Sequence, residues 1–346
     1  MMPLKDTKSS QALYEIKIEM TYRCNLNCLH CSSEGSLEQR DSIFYDKMIE
    51  ILKSAKALGV KKVSLSGGEP FLWPGMSKLF ANDIINNFKI RIYTSGTTKN
   101  FQDVVSKINH KNVNFVLSLF SANPNIHDQL TGSMGSHGKT LSAIQLISKS
   151  HNTEIHFVPT TTNYFELKPL ALLTNKLGVH KLSILRFVPQ GRGSINKQLM
   201  LNHKQNIALK NEIIELREEG FNIRTGSPFN FMFLNSQPHC TSGMNKLIIA
   251  PNLRVYPCDA FKQISLDQII GYDEYSSLKT HSLKHCWEKS LYLNKIRSVL
   301  QSEYQEPCKS CEKLNYCRSG CLAQKVLLNN SLENSQDPSC LLIKNK

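Results

Sequence analysis

Long apolar runs are missing from this 346-residue chain. No segment approaches the roughly 18 consecutive apolar residues that a membrane-spanning helix needs, so none is expected. The opening residues 1–20 hold no apolar core of about 7–15 residues and no small-residue cleavage site, which excludes a secretory signal there. Acidic residues are scarce: 28 Asp and Glu stand against 42 Lys and Arg, a formal charge of +14. That balance suits an acidic peptide, a nucleic acid or small anions, and equally a lysine-rich solvated surface. Repeats of solenoid period and low-complexity tracts are absent. These features point to a soluble, cytoplasmic protein, long enough for one large core and a smaller appended domain.

Cysteine, by contrast, is abundant, with eleven in the chain. In a reducing compartment that count argues for metal ligation over a disulfide framework. Cys24-Asn-Leu-Asn-Cys28-Leu-His-Cys31 closely follows an apolar strand. Three cysteines cannot close a four-coordinate site, so one position stays open to a substrate or cofactor. Three thiolates from one loop can each hold one iron of a cubane cluster and leave the fourth iron accessible. A three-Cys zinc site completed by water or His30 is the competing reading. A second run, Cys308-x2-Cys311-x5-Cys317-x3-Cys321, lies in a tail that starts near Pro238 and holds eight of the eleven cysteines. That tail is poor in apolar residues, so metal clusters are its expected staples.

Between residues 14 and 225, short apolar runs alternate with helical patterns. Expected strands are Tyr14–Met20, Lys62–Ser66, Lys89–Thr94, Asn114–Ser118, Glu154–Val158 and Lys181–Phe187. Expected helices include Asp46–Leu58, Met76–Asn87, Lys139–Lys149, Glu166–Leu177 and His203–Glu219. Six βα units in succession imply an α/β fold with a parallel sheet, wholly or partly closed into a (β/α)6 TIM-like barrel. Sites in such folds gather at the carboxyl ends of the strands, where the first triplet sits. In the tail, Leu247–Ala250 and Arg254–Tyr256 flank a turn and suggest a hairpin, and Tyr292–Leu300 reads as a helix.

The first triplet resembles the signature of radical S-adenosylmethionine (SAM) enzymes, with His30 where an aromatic residue commonly precedes the last cysteine. The resemblance implies a [4Fe-4S] cluster on Cys24, Cys28 and Cys31, with the methionine moiety of SAM on the fourth iron. It implies reductive cleavage to methionine and a 5′-deoxyadenosyl radical, which takes hydrogen from a bound substrate. Ser66-Gly67-Gly68-Glu69-Pro70 is similar to the family's second motif and implies backbone and carboxylate contacts to the SAM amino group. Its glycines would let backbone approach the ligand, and Glu69 would face an ammonium. Thr94-Ser-Gly96 is similar to the family's Thr-Asn-Gly turn, with Ser95 in place of Asn. Ser118 ends the fourth strand, where the family often places a ribose-contacting hydroxyl. Arg186 is a candidate for the cofactor carboxylate and, alternatively, a structural ion-pair partner. For Arg192 a lining role and a flexible connector stand open. His127 and Asp128 read as helix-start residues or substrate contacts, and His239, His281 and His285 as solvated or packing histidines.

The tail closely resembles the SPASM extension of this superfamily, which places a core domain at 1–236 and a Cys-rich iron–sulfur domain at 237–346. The resemblance implies two auxiliary [4Fe-4S] clusters, three in all. Cys308, Cys311, Cys317 and Cys340 would close the distal one; Cys240, Cys258 and Cys321 would hold the proximal one. Leu253 stands where the extension's turn glycine is usual. Cys286 either completes the proximal cluster or is a buried thiol beside Trp287. In the second case an open iron could engage a cysteine of a peptide substrate.

The function so implied is a radical SAM oxidoreductase acting on a peptide or protein, by crosslinking or side-chain oxidation. Expected partners are that peptide, with an acidic leader suited to the basic charge, an electron donor such as flavodoxin or ferredoxin, and a separate leader-binding protein. Only 23 residues precede Cys24, too few for an N-terminal leader-binding winged helix. Alternatives are haem or quinone cofactor synthesis, and a zinc scaffold for nucleic acid. The tail lacks the interleaved aromatics and the basic stripe of a nucleic-acid platform.

Overall fold

Glu15-Ile-Lys-Ile-Glu19, Lys62-Val-Ser-Leu-Ser66 and Lys89-Ile-Arg-Ile-Tyr-Thr94 place apolar side chains at every second position. A parallel strand covered by helices on both faces reads instead as a continuous apolar run. The alternation therefore signals a sheet with helices on one face and a polar surface on the other. A computed structural model, which describes residues 12–179, 181–234, 239–264 and 276–342, has that arrangement.

Nine strands form one sheet: β1 (Glu15–Glu19), β2 (Lys62–Ser66), β3 (Lys89–Thr94), β4 (Val113–Ser118), β5 (Asn152–Phe157), β6 (Leu182–Ile184), β7 (Ile223–Thr225), β8 (Lys246–Ile249) and β9 (Val255–Tyr256). Their order is β7-β6-β5-β4-β3-β2-β1-β8-β9, parallel except for the antiparallel β8–β9 hairpin. Among the described residues β7 and β9 do not pair, so the barrel is open.

One face carries Ile16, Ile18, Val63, Leu65, Ile90, Ile92, Phe115 and Phe157, all buried in the main apolar core. The helices Tyr45–Ala57, Ser136–Ile147, Leu167–Lys176 and His203–Glu218 cover it. Met48, Ile51, Leu52 and Ala55 of the first of these recur every three or four residues and are all buried. The three larger side chains each contribute about 1.5–3 kcal/mol on burial. The opposite face is the polar lumen, with Lys17, Ser64 and Arg91 in one register row and Ser118, His156 and Ser183 in another.

Several expected elements are revised. Met76–Asn87 is not one helix: it stops at Phe80, and a 3-10 turn at Asp83–Asn87 starts where the Asn82 side chain accepts from Ile84 N. The sixth strand is three residues long, because the chain turns away at Arg186 to meet the tail. β7 extends the six expected strands at one edge. At the other edge the tail's β8 pairs in parallel with β1, Glu15 opposite Lys246, so the tail's hairpin continues the core sheet. The expected domain boundary at 236/237 lies outside the described residues. Leu253, in the hairpin turn, adopts the left-handed region at φ +68°, a conformation that costs a non-glycine residue about 1–2 kcal/mol. Tyr256 of the hairpin joins Phe261, Tyr292, Ile296 and Leu322 in a second apolar cluster.

Candidate cofactor site and auxiliary cysteine sets

The loop that carries the first triplet is held from three directions. Asn27 N and Leu29 N donate to Thr131 O and Leu130 O at the end of helix Pro124–Thr131. Arg192 clasps the loop: its Nε donates to Cys28 O at 2.9 Å, its Nη2 to Gly35 O at 2.9 Å and its backbone N to Cys31 O at 3.0 Å. The residue is therefore no loose connector. On the third side, Gly68 N donates to Thr21 O at 2.7 Å and Glu69 N to Arg23 O at 2.8 Å.

That last contact gives Gly67 and Gly68 their task. A Cβ on Gly67, which has φ +134°, would lie 2.3 Å from Thr21 O, and one on Gly68 2.3 Å from Arg23 O. The glycines bring the exit of β2 against the backbone that leads into Cys24. This close approach to protein backbone is distinct from the approach to ligand expected of them.

Glu69 is thereby delivered to the ends of β2 and β3. Its Oε1 accepts from Thr94 Oγ1 at 2.6 Å and Phe71 N at 3.2 Å; its Oε2 accepts from Ser95 N at 2.9 Å and Ser95 Oγ at 2.7 Å. Burial pushes its carboxyl up, and these four donors oppose that shift. Pro70 opens the 3-10 turn that follows. Ser95 thus serves Glu69 directly, and its hydroxyl also meets Thr97, which accepts from Asn25 Nδ2 of the cysteine loop at 2.8 Å. One hydrogen-bonded chain joins Glu69 to the cysteine loop.

Ser118 lies half-buried at the end of β4 in the lumen row. Beside it in register is His156, whose Nε2 is 3.2 Å from Glu154 Oε1 and whose ring meets Tyr93 edge-on at 5.3 Å. Burial lowers the His156 pKa, so the imidazole is neutral near pH 7. These lumen groups escaped the motif reading; the alternation in Glu154-Ile-His156-Phe was the signal that could have found them. Across the lumen, Lys17 meets Asp259 at 2.6 Å, and Lys262 meets Glu19 at 2.5 Å and Ser33 at 2.6 Å.

Of the two roles open to Arg186, cofactor contact and structural ion-pair partner, it takes the second. Its Nη1 donates to Asp337 Oδ2 and Pro228 O, and its Nη2 to Asp337 Oδ1 and Ser339 Oγ, at 2.8–3.0 Å. With both ends of the fork engaged, no pair of donors remains for a cofactor carboxylate. His127 and Asp128 also serve structure: His127 Nδ1 accepts from Phe120 N, and the Asp128 carboxylate accepts from Gly135 N, Ser136 Oγ and His137 N. His239 contacts Arg318, while His281 and His285 pair edge-on.

The ten cysteines other than Cys286 are free thiols. Burial pushes Cys24 up to about 12 and Cys28 well above the usual thiol range, with Cys31 among the neighbours that repel a second thiolate. Cys258 and Cys321 are raised likewise by burial, and both feel Cys240. Cys308 and Cys317 are raised by burial and feel Cys340, with Cys311 beside Cys308. Cys24, Cys28 and Cys31 are thus neighbours, as are Cys240, Cys258 and Cys321, and Cys308, Cys311, Cys317 and Cys340. Several buried thiols side by side become thiolates only when a cationic centre balances them, so the donor sets fit iron–sulfur clusters. Cys286 sits elsewhere, wholly buried in the main apolar core with Leu283 and Trp287. Among the described residues no three His, Cys, Asp or Glu side chains converge as a single metal ion requires. No helix among them is long and apolar enough to cross a membrane.

Residues 18–166 match the family model described as the Radical SAM superfamily. The chain is 23% identical over 331 residues to a PqqA peptide cyclase of Granulibacter bethesdensis, covering 94% of this chain and 86% of that protein. The structure of Streptococcus suis SuiB bound to S-adenosylmethionine superposes with a TM-score of 0.74 at 18% identity, covering 96% of this chain and 78% of SuiB. Native anSMEcpe with bound AdoMet and Cp18Cys peptide gives 0.71 at 17% identity, covering 94% and 93%.

Proposed function

We infer that this chain is a radical SAM, peptide-modifying enzyme with one SAM-binding and two auxiliary [4Fe-4S] clusters. The observation that supports this reading is that Cys24 neighbours Cys31 and Glu69, that Cys258 and Cys321 neighbour Cys240, and that Cys308 and Cys317 neighbour Cys340. A peptide substrate is supported by the similar proteins: one is a peptide cyclase, one structure contains a peptide, and SuiB is also known bound to its precursor peptide SuiA.

When bound, the cluster of the first set and SAM supply a 5′-deoxyadenosyl radical that takes a hydrogen atom from the substrate. The protein's residues do the rest. Arg192 and the Gly67–Gly68 approach hold the triplet loop in one conformation. Glu69, fixed by four donors, offers its carboxylate to the amino group of the methionine moiety, and Thr94 and Pro70 shape that end of the site. Ser118 stands where a ribose hydroxyl would meet it. His156, neutral and oriented by Glu154, faces the lumen and can accept the proton that the oxidised substrate releases. The paired lumen charges Lys17–Asp259 and Lys262–Glu19 present fixed dipoles to a polar chain rather than a greasy ligand.

If Cys240, Cys258 and Cys321 hold the proximal cluster and Cys286, packed in the apolar core beside Trp287, is not a ligand, one iron would be open to a substrate donor. An acidic one-electron carrier such as flavodoxin or ferredoxin would suit the +14 charge, as would an acidic leader. The test is anaerobic reconstitution followed by incubation with SAM, reductant and candidate precursor peptides. About twelve irons per chain and a mass change in one peptide support the reading. Zinc alone, or iron with no peptide altered while a tetrapyrrole or quinone precursor is, overturns it.

A further inference from the structure

The sheet leaves one gap in the wall of the lumen, between β7 and β9, which do not pair among the described residues. Along the edge strand β7 lies a cavity of about 560 Å³. Lys181, Arg217 and Arg224 line it, and Ile214 and Phe233 give it an apolar wall. Glu218 is the one acid lining it among the described residues.

The cations here outnumber the acids that could neutralise them. Glu154 is shared between Arg91 and Lys181, both at 3.1 Å, while Arg224 stands 4.0 Å from it, at the outer limit of an ion pair. Arg217 finds only neutral acceptors among the described residues: its Nε donates to Ile223 O and its Nη2 to Thr225 Oγ1, both at 3.0 Å. Lys210 brings a further ammonium 5.8 Å from the Phe233 ring. The other acids of helix His203–Glu218 and its end are engaged by Lys168, whose Nζ meets Glu215 and Glu219 and whose backbone N donates to Glu212. Four cations therefore face the exposed Glu218 and a share of Glu154. Partly buried positive charge in such excess is costly until an anion joins it.

The cavity is also continuous with the reaction chamber. Lys181 and Arg224 both reach Glu154, the carboxylate that orients His156 in the lumen. A peptide whose reacting residue lies in the lumen needs an exit for the rest of its chain, and the gap beside β7 is the break in the wall. A small anion would satisfy the cations but leave Ile214, 37% exposed, and the half-buried Phe233 uncovered.

We propose that this cavity binds an acidic segment of the peptide substrate, outside the part that enters the lumen. Its carboxylates meet Lys181, Arg217, Arg224 and Lys210, and a neighbouring apolar side chain rests on Ile214 and Phe233. The inference rests on the peptide-modifying reading above and adds the place where the substrate is held.

The test is fluorescence anisotropy on the anaerobically reconstituted full chain. The probe is a dye-labelled peptide of alternating Glu and Leu, with its Gln-for-Glu counterpart as control. The acidic probe binds, the neutral one does not, and the affinity falls as salt rises. Arg224→Glu, at a side chain 47% exposed, weakens binding about tenfold. Lys210→Glu weakens it in the same direction and serves if the first variant does not fold. Carbodiimide, which joins carboxylates to nearby amines, couples the probe to Lys181 or Lys210 in preference to other lysines. Unchanged affinity in both variants, or crosslinks with no enrichment at these two lysines, overturns the inference. Inorganic phosphate that displaces the probe at equal concentration marks a small-anion site and overturns it as well. A precursor peptide modified by a chain that does not bind the probe here overturns this inference alone. Probe bound here and deoxyadenosine formed, with no candidate peptide altered, overturns the peptide-modifying reading instead.

Discussion

Four donors converge on the Glu69 carboxylate, two of them backbone N–H groups and two hydroxyls. In a Glu69→Gln variant one of these oxygens becomes an NH2 group that confronts a backbone donor. The expected cost is about 1–3 kcal/mol of stability, with SAM affinity lowered at least tenfold; denaturant titration and calorimetric SAM binding read the two. A second residue-scale prediction concerns acid. His127 is wholly buried and burial lowers its pKa to about 4, with His137 beside it lowered in the same direction. Below about pH 6.5 the unfolded chain protonates this histidine and the folded chain does not, so stability falls with pH down to about 4. The loss from His127 is about 3 kcal/mol over that window. A His127→Asn variant retains an acceptor for Phe120 N and flattens the slope; an unchanged slope contradicts the assignment. At this scale the cysteine triplet and Glu69 were legible as neighbours in the sequence, because both lie in short local motifs at the ends of adjacent strands. Arg186 was not, since its partner Asp337 lies 151 residues away.

The approach of β2's exit to the cysteine loop is a property of two elements and depends on the absence of a Cβ. Gly68→Ala places that atom 2.3 Å from Arg23 O and 2.7 Å from Tyr22 O, and backbone cannot yield cheaply there. The expected result is selective loss of the first cluster, about four irons per chain, with the auxiliary signatures retained. Loss of all iron, or of none, contradicts the local role. The strands were legible as short apolar runs between helical patterns, whereas the polar lumen lies in a finer signal, the two-residue period within them. Helix Met76–Phe80 was overestimated because the capping by Asn82 competes with continuation. The pairing of β8 with β1 escaped notice: nothing local marks which strand a tail segment joins across some 230 residues of intervening chain.

At the scale of the whole molecule, core and tail are one structure. β8 continues the core sheet, Lys262 reaches back to Glu19, Lys17 reaches forward to Asp259, and Arg186 binds Asp337. Removing one partner from the buried Arg186–Asp337 or Lys262–Glu19 pair costs about 3–5 kcal/mol. Denaturation of the reconstituted protein is therefore expected to show a single transition by fluorescence and by cluster absorbance; two separated transitions contradict it. The central claim is that the open iron of the first set grips SAM and cleaves it. It is tested most directly by quantifying 5′-deoxyadenosine after dithionite reduction of the anaerobically reconstituted chain. The account predicts its formation by the wild-type chain and none from a Cys28→Ala variant. A reconstituted wild-type chain that retains iron at the first set yet yields no deoxyadenosine with SAM and peptide present would contradict it.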